Sequence, residues 1–156
     1  MTVRGAGKVV AVCAGERRGQ GKEDVGRGYL QRDYGLVGDA HAGAGDRQVS
    51  LVSLADVRAV ALTRGVEGGP GDFAANIGVE GLDVAALPAG TLLGVGEAML
   101  EVRHIGKRDA GPHHFSYRGV ALLVEKGAFC RVVRSGWVKT GDPVVVIADD
   151  ALPPED

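Results

Sequence analysis

The run "GLVGDAHAGAGDRQVSLVS", residues 35–53, sets Asp39, His41, Asp46 and Arg47 among glycines and passes at once into alternating apolar positions. Polar donors and pliable backbone at the start of a strand allow two readings. One is an ordinary connecting loop, in which Arg47 pairs with Asp39 or Asp46 and His41 hydrogen-bonds its own turn. The other is the lip of a binding site held by a rigid barrel. Thiol chemistry has two candidates, Cys13 and Cys130, which form no CxxC pair and are expected to be reduced. Arg131 beside Cys130 favours a thiolate, but adjacent strand residues point to opposite faces, so a small buried hydrophobe is the competing role. His113 and His114, with Asp109 or His41, are a conceivable metal set. Adjacent histidines diverge on a strand, however, and a solvated loop is the simpler reading.

The elements that must position these groups are mostly β. The chain has 156 residues, enough for one domain with a real core. Its 18 Lys and Arg against 20 Asp and Glu give a charge of −2, and aromatics are 4% of residues. Neither a basic footprint nor a base-stacking platform is present, which argues against nucleic acid. No apolar run approaches the roughly 20 residues that span a bilayer, and the N-terminus lacks a signal-peptide pattern. A cytoplasmic protein without membrane association is expected. Glycine, at 26 residues, is more than twice its usual share of about 7% and falls between short β-branched runs.

Residues 8–14 read as a first strand, 15–34 as a long polar loop, and 47–53 as a second strand. Ser53 and Asp56 resemble a capping pair for a helix whose stripe is Leu54, Val57, Val60 and Ala61, stopped by Gly65. Residues 91–105 read as two strands joined near Gly94–Glu97. "GVALLVE", "AFCRVV" and "DPVVVIA" supply further β runs. A closed β-barrel with one principal helix near residues 54–64 is predicted over residues 1–148, followed by an acidic, flexible tail at 149–156.

Three blocks carry a family resemblance: "GDAHAGAGDRQVSLVS", "PGDFAANIGVEGLDVAALPAGTLLGVGEAMLEVRHIGK" and "GAFCRVVRSGWVKTGDPV". Their order and spacing, over roughly residues 8–147, resemble free-standing MOSC domains, related to the C-terminal domain of molybdenum-cofactor sulfurases. The resemblance implies a small closed barrel of complex, pyruvate-kinase-barrel-like topology. It also implies binding of the molybdenum–pterin cofactor, hence molybdenum, and handling of its sulfur.

Such a cofactor carries a phosphate and an anionic dithiolene, so its site needs cations and amide groups in a concave surface. On that implication, Arg47 and Lys107 are the phosphate candidates, His41 a further polar contact, and Gln48 and Asn76 partners for the pterin edge. Gly38, Gly43 and Gly45 are expected to let backbone approach closely. Asp72 and Asn76 also suit turns before a strand, and Tyr29 and Tyr34 could wall the pocket or anchor loops.

One departure stands out. The family carries a cysteine shortly after "IGK", where this chain has Arg108, Asp109 and Ala110. A carboxylate cannot form a persulfide. Cys130 is the remaining candidate for a catalytic thiol. The readings left open are a cofactor-binding module acting in sulfuration or delivery, a sulfur carrier using Cys130, and a degenerate structural domain. The sulfurases' pyridoxal-phosphate domain has no counterpart in this chain, so sulfur would come from a partner such as a cysteine desulfurase, with a molybdoenzyme as recipient.

Overall fold

A computed structural model of the protein describes residues 3–43, 45–107 and 114–147. The expected tail at 149–156, the segment with Arg108, Asp109 and Ala110, and His113 lie outside the described residues. The strands are β1 (Val3–Ala14), β2 (Glu23–Asp24), β3 (Arg27–Gln31), β4 (Gly35–Leu36), β5 (Val49–Ser53) and β6 (Ile77–Glu80). They continue as β7 (Leu92–Val95), β8 (Ala98–Ile105), β9 (Ala128–Arg134), β10 (Gly136–Lys139) and β11 (Pro143–Ile147). Among the described residues there are two α-helices, α1 (Leu54–Arg64) and α2 (Leu122–Lys126), and short 3-10 turns at Pro70–Phe73 and Val84–Ala86.

Seven strands close into a ring in the order β1, β11, β7, β8, β9, β5, β6 and back to β1. The closure is made by β1, whose first half pairs with β11 and whose second half pairs with β6. Every pairing in the ring is antiparallel except β5 with β6, which are parallel and therefore need a crossover. Helix α1 and the turn at Pro70–Phe73 are that crossover. A smaller sheet, ordered β10–β3–β4, stands beside the barrel.

Two apolar clusters follow from this arrangement. The barrel interior is filled by fully buried residues including Val49, Leu51, Ile77, Leu100, Val102 and Cys130. Outside the wall, Val52, Val57, Val60, Phe73, Leu123 and Phe129 form a second core beneath the helices. Strand β5 lies between the two, and all five of its residues are buried. Burying a leucine such as Leu51 completely contributes about 1.5–3 kcal/mol.

The single long helix sits at 54–64 as predicted, with Val57 and Val60 buried and Gly65 ending it at φ 68°. The capping pair is not formed. Ser53 Oγ donates to Leu82 O (2.8 Å) and accepts from Val84 N (2.9 Å), tying the strand end to the next turn instead. Residues 15–34 are not one loop, because β2 and β3 lie within them. Strand β3 exists through distant pairing, Leu30 with Gly136 and Tyr29 with Trp137, which no local period announces. The run "GVALLVE" is not a strand. Its Leu122 and Leu123 are buried on a short helix that Gly127 terminates by donating to Leu123 O. A short apolar run suits either element, and here packing against the outer core decides. Among the described residues, no helix is long and apolar enough to cross a membrane.

Candidate functional site

On the outer face of the β5–β9 wall lies a pocket of about 630 Å³. Arg18, His41, Arg47, Asn76, Lys107 and Phe129 line it, with Phe73, Phe115 and Leu123 contributing apolar walls. Arg47, Asn76 and Lys107 are placed by strand ends, and Arg18 and His41 by turns. Arg47 stands two residues before β5, Asn76 one residue before β6, and Lys107 two residues after β8. The bend after β8 is made by Gly106 at φ 71°, where a Cβ would press on the Val124 carbonyl. Gly106 N donates to Gly127 O (2.7 Å) and Lys107 N to Val124 O (3.0 Å), so this short arm is fastened to α2.

Phe129, second in β9, is the floor. The Arg47 guanidinium carbon lies 5.7 Å and Lys107 Nζ 5.1 Å from its ring centroid, both within cation–π range. Burial, then the charges of Arg47 and Lys22, pull the Lys107 ammonium below its ordinary pKa. Asp46, a neighbour of Arg47 in sequence, is turned to Arg103 (3.2 Å) and His104 (3.5 Å).

Behind His41 stands a group the sequence did not single out. Lys22 Nζ lies 2.6 Å from Asp39 Oδ1, with the two side chains 1% and 0% exposed. It also lies 2.9 Å from His41 Nδ1. Asp39 accepts in addition from Gly15 N and His41 N, each at 3.0 Å. Burial would raise the Asp39 carboxyl, but the hydrogen bonds from Lys22 and Gly15 outweigh it and hold the group below its usual range. Lys22 is fixed through its backbone as well, because its N–H donates to Gly71 O (2.7 Å). A Cβ at Gly71 would collide with the Lys22 carbonyl, so glycine is required there. Arg18 completes this side by donating from Nε to Ala40 O (3.3 Å). Both residues lie in the polar stretch read as loop, which carries no periodicity to mark them.

The structure thus brings His41, Arg47, Asn76 and Lys107 to one pocket. Asn76 is spent largely on the fold: it is 1% exposed, its Oδ1 accepts from Ser50 N (3.0 Å), and its Nδ2 donates to Cys13 O (3.1 Å). Gln48 does not line the pocket. Its amide bridges Gly45 O (3.0 Å) and Val132 N (3.1 Å). Cys130 also lies elsewhere, inside the barrel at 0% exposure, where burial pushes its thiol up to about 12. Cys13 is likewise buried and raised to about 12, first by burial and then by Asp24. Gly38, Gly43 and Gly45 take φ values of 93°, 150° and 128°, and a Cβ on any of them would meet nothing within 4 Å. They shape the loop rather than clear space against the protein. Tyr29 stacks edge-on against Trp137, centroids 5.3 Å apart, away from the pocket. Asp109 and His113 fall outside the described residues, and among those described no three His, Cys, Asp or Glu gather as a metal site.

The profile of the MOSC domain matches residues 38–145. The chain belongs to the MOSC family. Several solved structures are similar to this MOSC chain. YuaD from Bacillus subtilis superposes with a TM-score of 0.71 at 22% identity, covering 90% of this chain and 95% of that one. YiiM from Geobacillus stearothermophilus gives 0.69 at 16% identity over 91% and 75%. YiiM from Escherichia coli gives 0.60 at 21% over 92% and 70%. At such identities these likenesses concern the fold. No functionally curated protein matches the sequence significantly. The MOSC barrel is associated with molybdenum-cofactor binding and sulfuration, and the matched span includes His41, Arg47, Asn76, Lys107 and Cys130.

Proposed function

We propose that this MOSC chain binds the molybdenum–pterin cofactor, or a related anionic ligand, in the pocket above Phe129 and serves its delivery or sulfuration without a thiol of its own. The observation that carries the reading is the pairing of Arg47 and Lys107 over one aromatic face. Burial first, and then repulsion from the Arg47 guanidinium, disfavours the Lys107 ammonium. An anion between them converts that repulsion into two charge-assisted contacts.

The donor set fits such a cofactor. Arg47, with its planar fork, and Lys107, a mobile point charge, would hold the phosphate or dithiolene charge. His41 would contribute a hydrogen bond, and Phe73, Phe115 and Phe129 would cover the ring system. Bound there, the cofactor would supply a molybdenum centre able to exchange oxygen or sulfur ligands. The carrier reading is less well supported. A carrier thiol must be an accessible thiolate, whereas Cys130 is enclosed and its ionisation is strongly opposed. Sulfur would then be brought by a partner, a cysteine desulfurase, and the loaded cofactor passed to a molybdoenzyme.

Purification from molybdenum-replete cells tests this directly. Molybdenum and an oxidisable, fluorescent pterin should copurify with the wild type and be lost together in Arg47→Ala and Lys107→Ala proteins that remain folded. Protein free of both, and indifferent to added cofactor, would overturn the proposal.

A further inference from the structure

We infer that Lys22 is a positioning residue that holds His41 as the neutral imidazole protonated on Nε2, so that His41 meets a ligand as a hydrogen-bond donor and not as a metal ligand or base. The ligand side of this statement rests on the pocket reading above. The tautomer rests on the geometry of this chain alone.

An ammonium group has donors and no acceptor. Lys22 Nζ and His41 Nδ1, 2.9 Å apart, can therefore be hydrogen-bonded only if Nδ1 offers its lone pair. Nζ cannot swing away, because it is held 2.6 Å from Asp39 Oδ1 in a pair 1% and 0% exposed. Nor does Asp39 offer Nδ1 an alternative. Its Oδ2 is 3.9 Å from Nδ1, beyond hydrogen-bond length, and already accepts from the His41 backbone N–H at 3.0 Å. With Nδ1 an acceptor, a neutral ring carries its proton on Nε2, at the opposite edge. The ring is 37% exposed and lines the pocket.

The second proton is opposed as well. Burial comes first, followed by Lys22, Arg18 and Lys107, all of which disfavour the imidazolium, while Asp39 favours it; the balance lies below the ordinary histidine range.

This has a chemical consequence. A histidine that ligates metal through Nε2 ordinarily keeps its proton on Nδ1 and donates it to a carboxylate or carbonyl. Here Nδ1 faces a cation, and that arrangement is forbidden. The site therefore selects ligand atoms that accept a hydrogen bond, such as an oxo group, a phosphate oxygen or a carbonyl. A neutral imidazole serving as a donor beside cations can polarise such an atom without carrying net charge.

The test is a long-range nitrogen–proton correlation spectrum of the full chain labelled at its histidines, with His41 assigned through a His41→Asn variant. The wild type should show the Nε2–H signature from mildly acid to mildly alkaline pH. In Lys22→Met the ring should become a tautomer mixture, and its titration midpoint should move up toward the ordinary histidine value. Should that variant fail to fold, Lys22→Met with Asp39→Leu removes both buried charges together and gives the same readout. Zinc added to the wild type should leave the Nε2 proton in place, and molybdate, used as an oxyanion probe, should shift it. An Nδ1–H signature in the wild type, an unchanged tautomer after loss of Lys22, or zinc displacing the Nε2 proton would each overturn the assignment to Lys22. Absent molybdate and cofactor binding with the Nε2–H signature intact counts against the pocket reading instead.

Discussion

Phe129 and Cys130 are consecutive residues of β9, yet they face different environments. Cys130 points into the barrel among Val49, Val102 and Val132, with no solvent exposure. Phe129 points outward and carries two cations over its ring. Strand β5 repeats the division, with Leu51 inside and Ser50 at the pocket. The alternation of a strand thus separates the two tasks by one residue. The inner face gives cohesion and makes ionisation costly. On the outer face charge is tolerated, because long side chains keep their heads near water and their stems on apolar surface.

The contrast breaks most severely at Asp39. Asp39→Ala leaves the Lys22 ammonium buried without its partner, and urea denaturation should register a loss of about 3–5 kcal/mol. A loss close to zero would mean that Lys22 escapes to solvent and that the pair is not structural. At the pocket rim, Arg47→Ala should weaken binding of an anionic ligand by about 1.5–3 kcal/mol in calorimetric titration, with the denaturation midpoint nearly unchanged. Equal affinity in the variant would remove Arg47 from the site.

Inside the barrel, Cys130→Ala should cost about 1 kcal/mol through the small cavity it leaves, and ligand affinity should not move. A thiol-reactive dye should label the native protein slowly and the denatured protein fast, since burial pushes both thiols up to about 12. Rapid labelling of Cys130 at neutral pH, followed by persulfide loading from a desulfurase, would restore the carrier reading.

The smallest effect is on pH dependence. His41 titrates below its free value of 6.5 in the folded state, so the unfolded chain takes up that proton first. Stability should begin to decline as pH falls below about 6.5. Asp39, held below 3.8, contributes stability above that value and loses it only as pH falls through its lower folded pKa. Melting temperatures across mildly acid pH should show the first decline in the wild type and not in His41→Asn.

Much of this was legible from local pattern. The helix at 54–64 announced itself by a stripe and a terminal glycine, and β7, β8, β9 and β11 by short, largely apolar runs. Arg47, His41, Lys107 and Asn76 were singled out because they sit beside glycines or strand ends, and they do meet at one pocket. What escaped depends on contacts distant in sequence. Strand β3 needs β10, more than a hundred residues away, to satisfy its backbone. Lys22 stands in a polar stretch, and its burial arises only when the 39–41 turn folds over it. Gln48 was read as a ligand contact, but its amide closes the gap between the loop and β9. An amide side chain looks the same in sequence whether it serves a ligand or the backbone.

The ring closes where β1 meets β11, pairing Val3 with Ile147 and Lys8 with Pro143. During synthesis this delays folding, since β1 must wait for nearly the whole barrel to be translated before it finds that neighbour. Until then the interior has an open seam, and the exposed edges of β1 and β7 are free to join another chain. A ribosome-stalled chain ending before residue 143 should therefore stay sensitive to protease although Phe129, Arg47 and Lys107 have all been made. Release of the remaining strand should confer resistance in one step, so that the pocket and the barrel mature together.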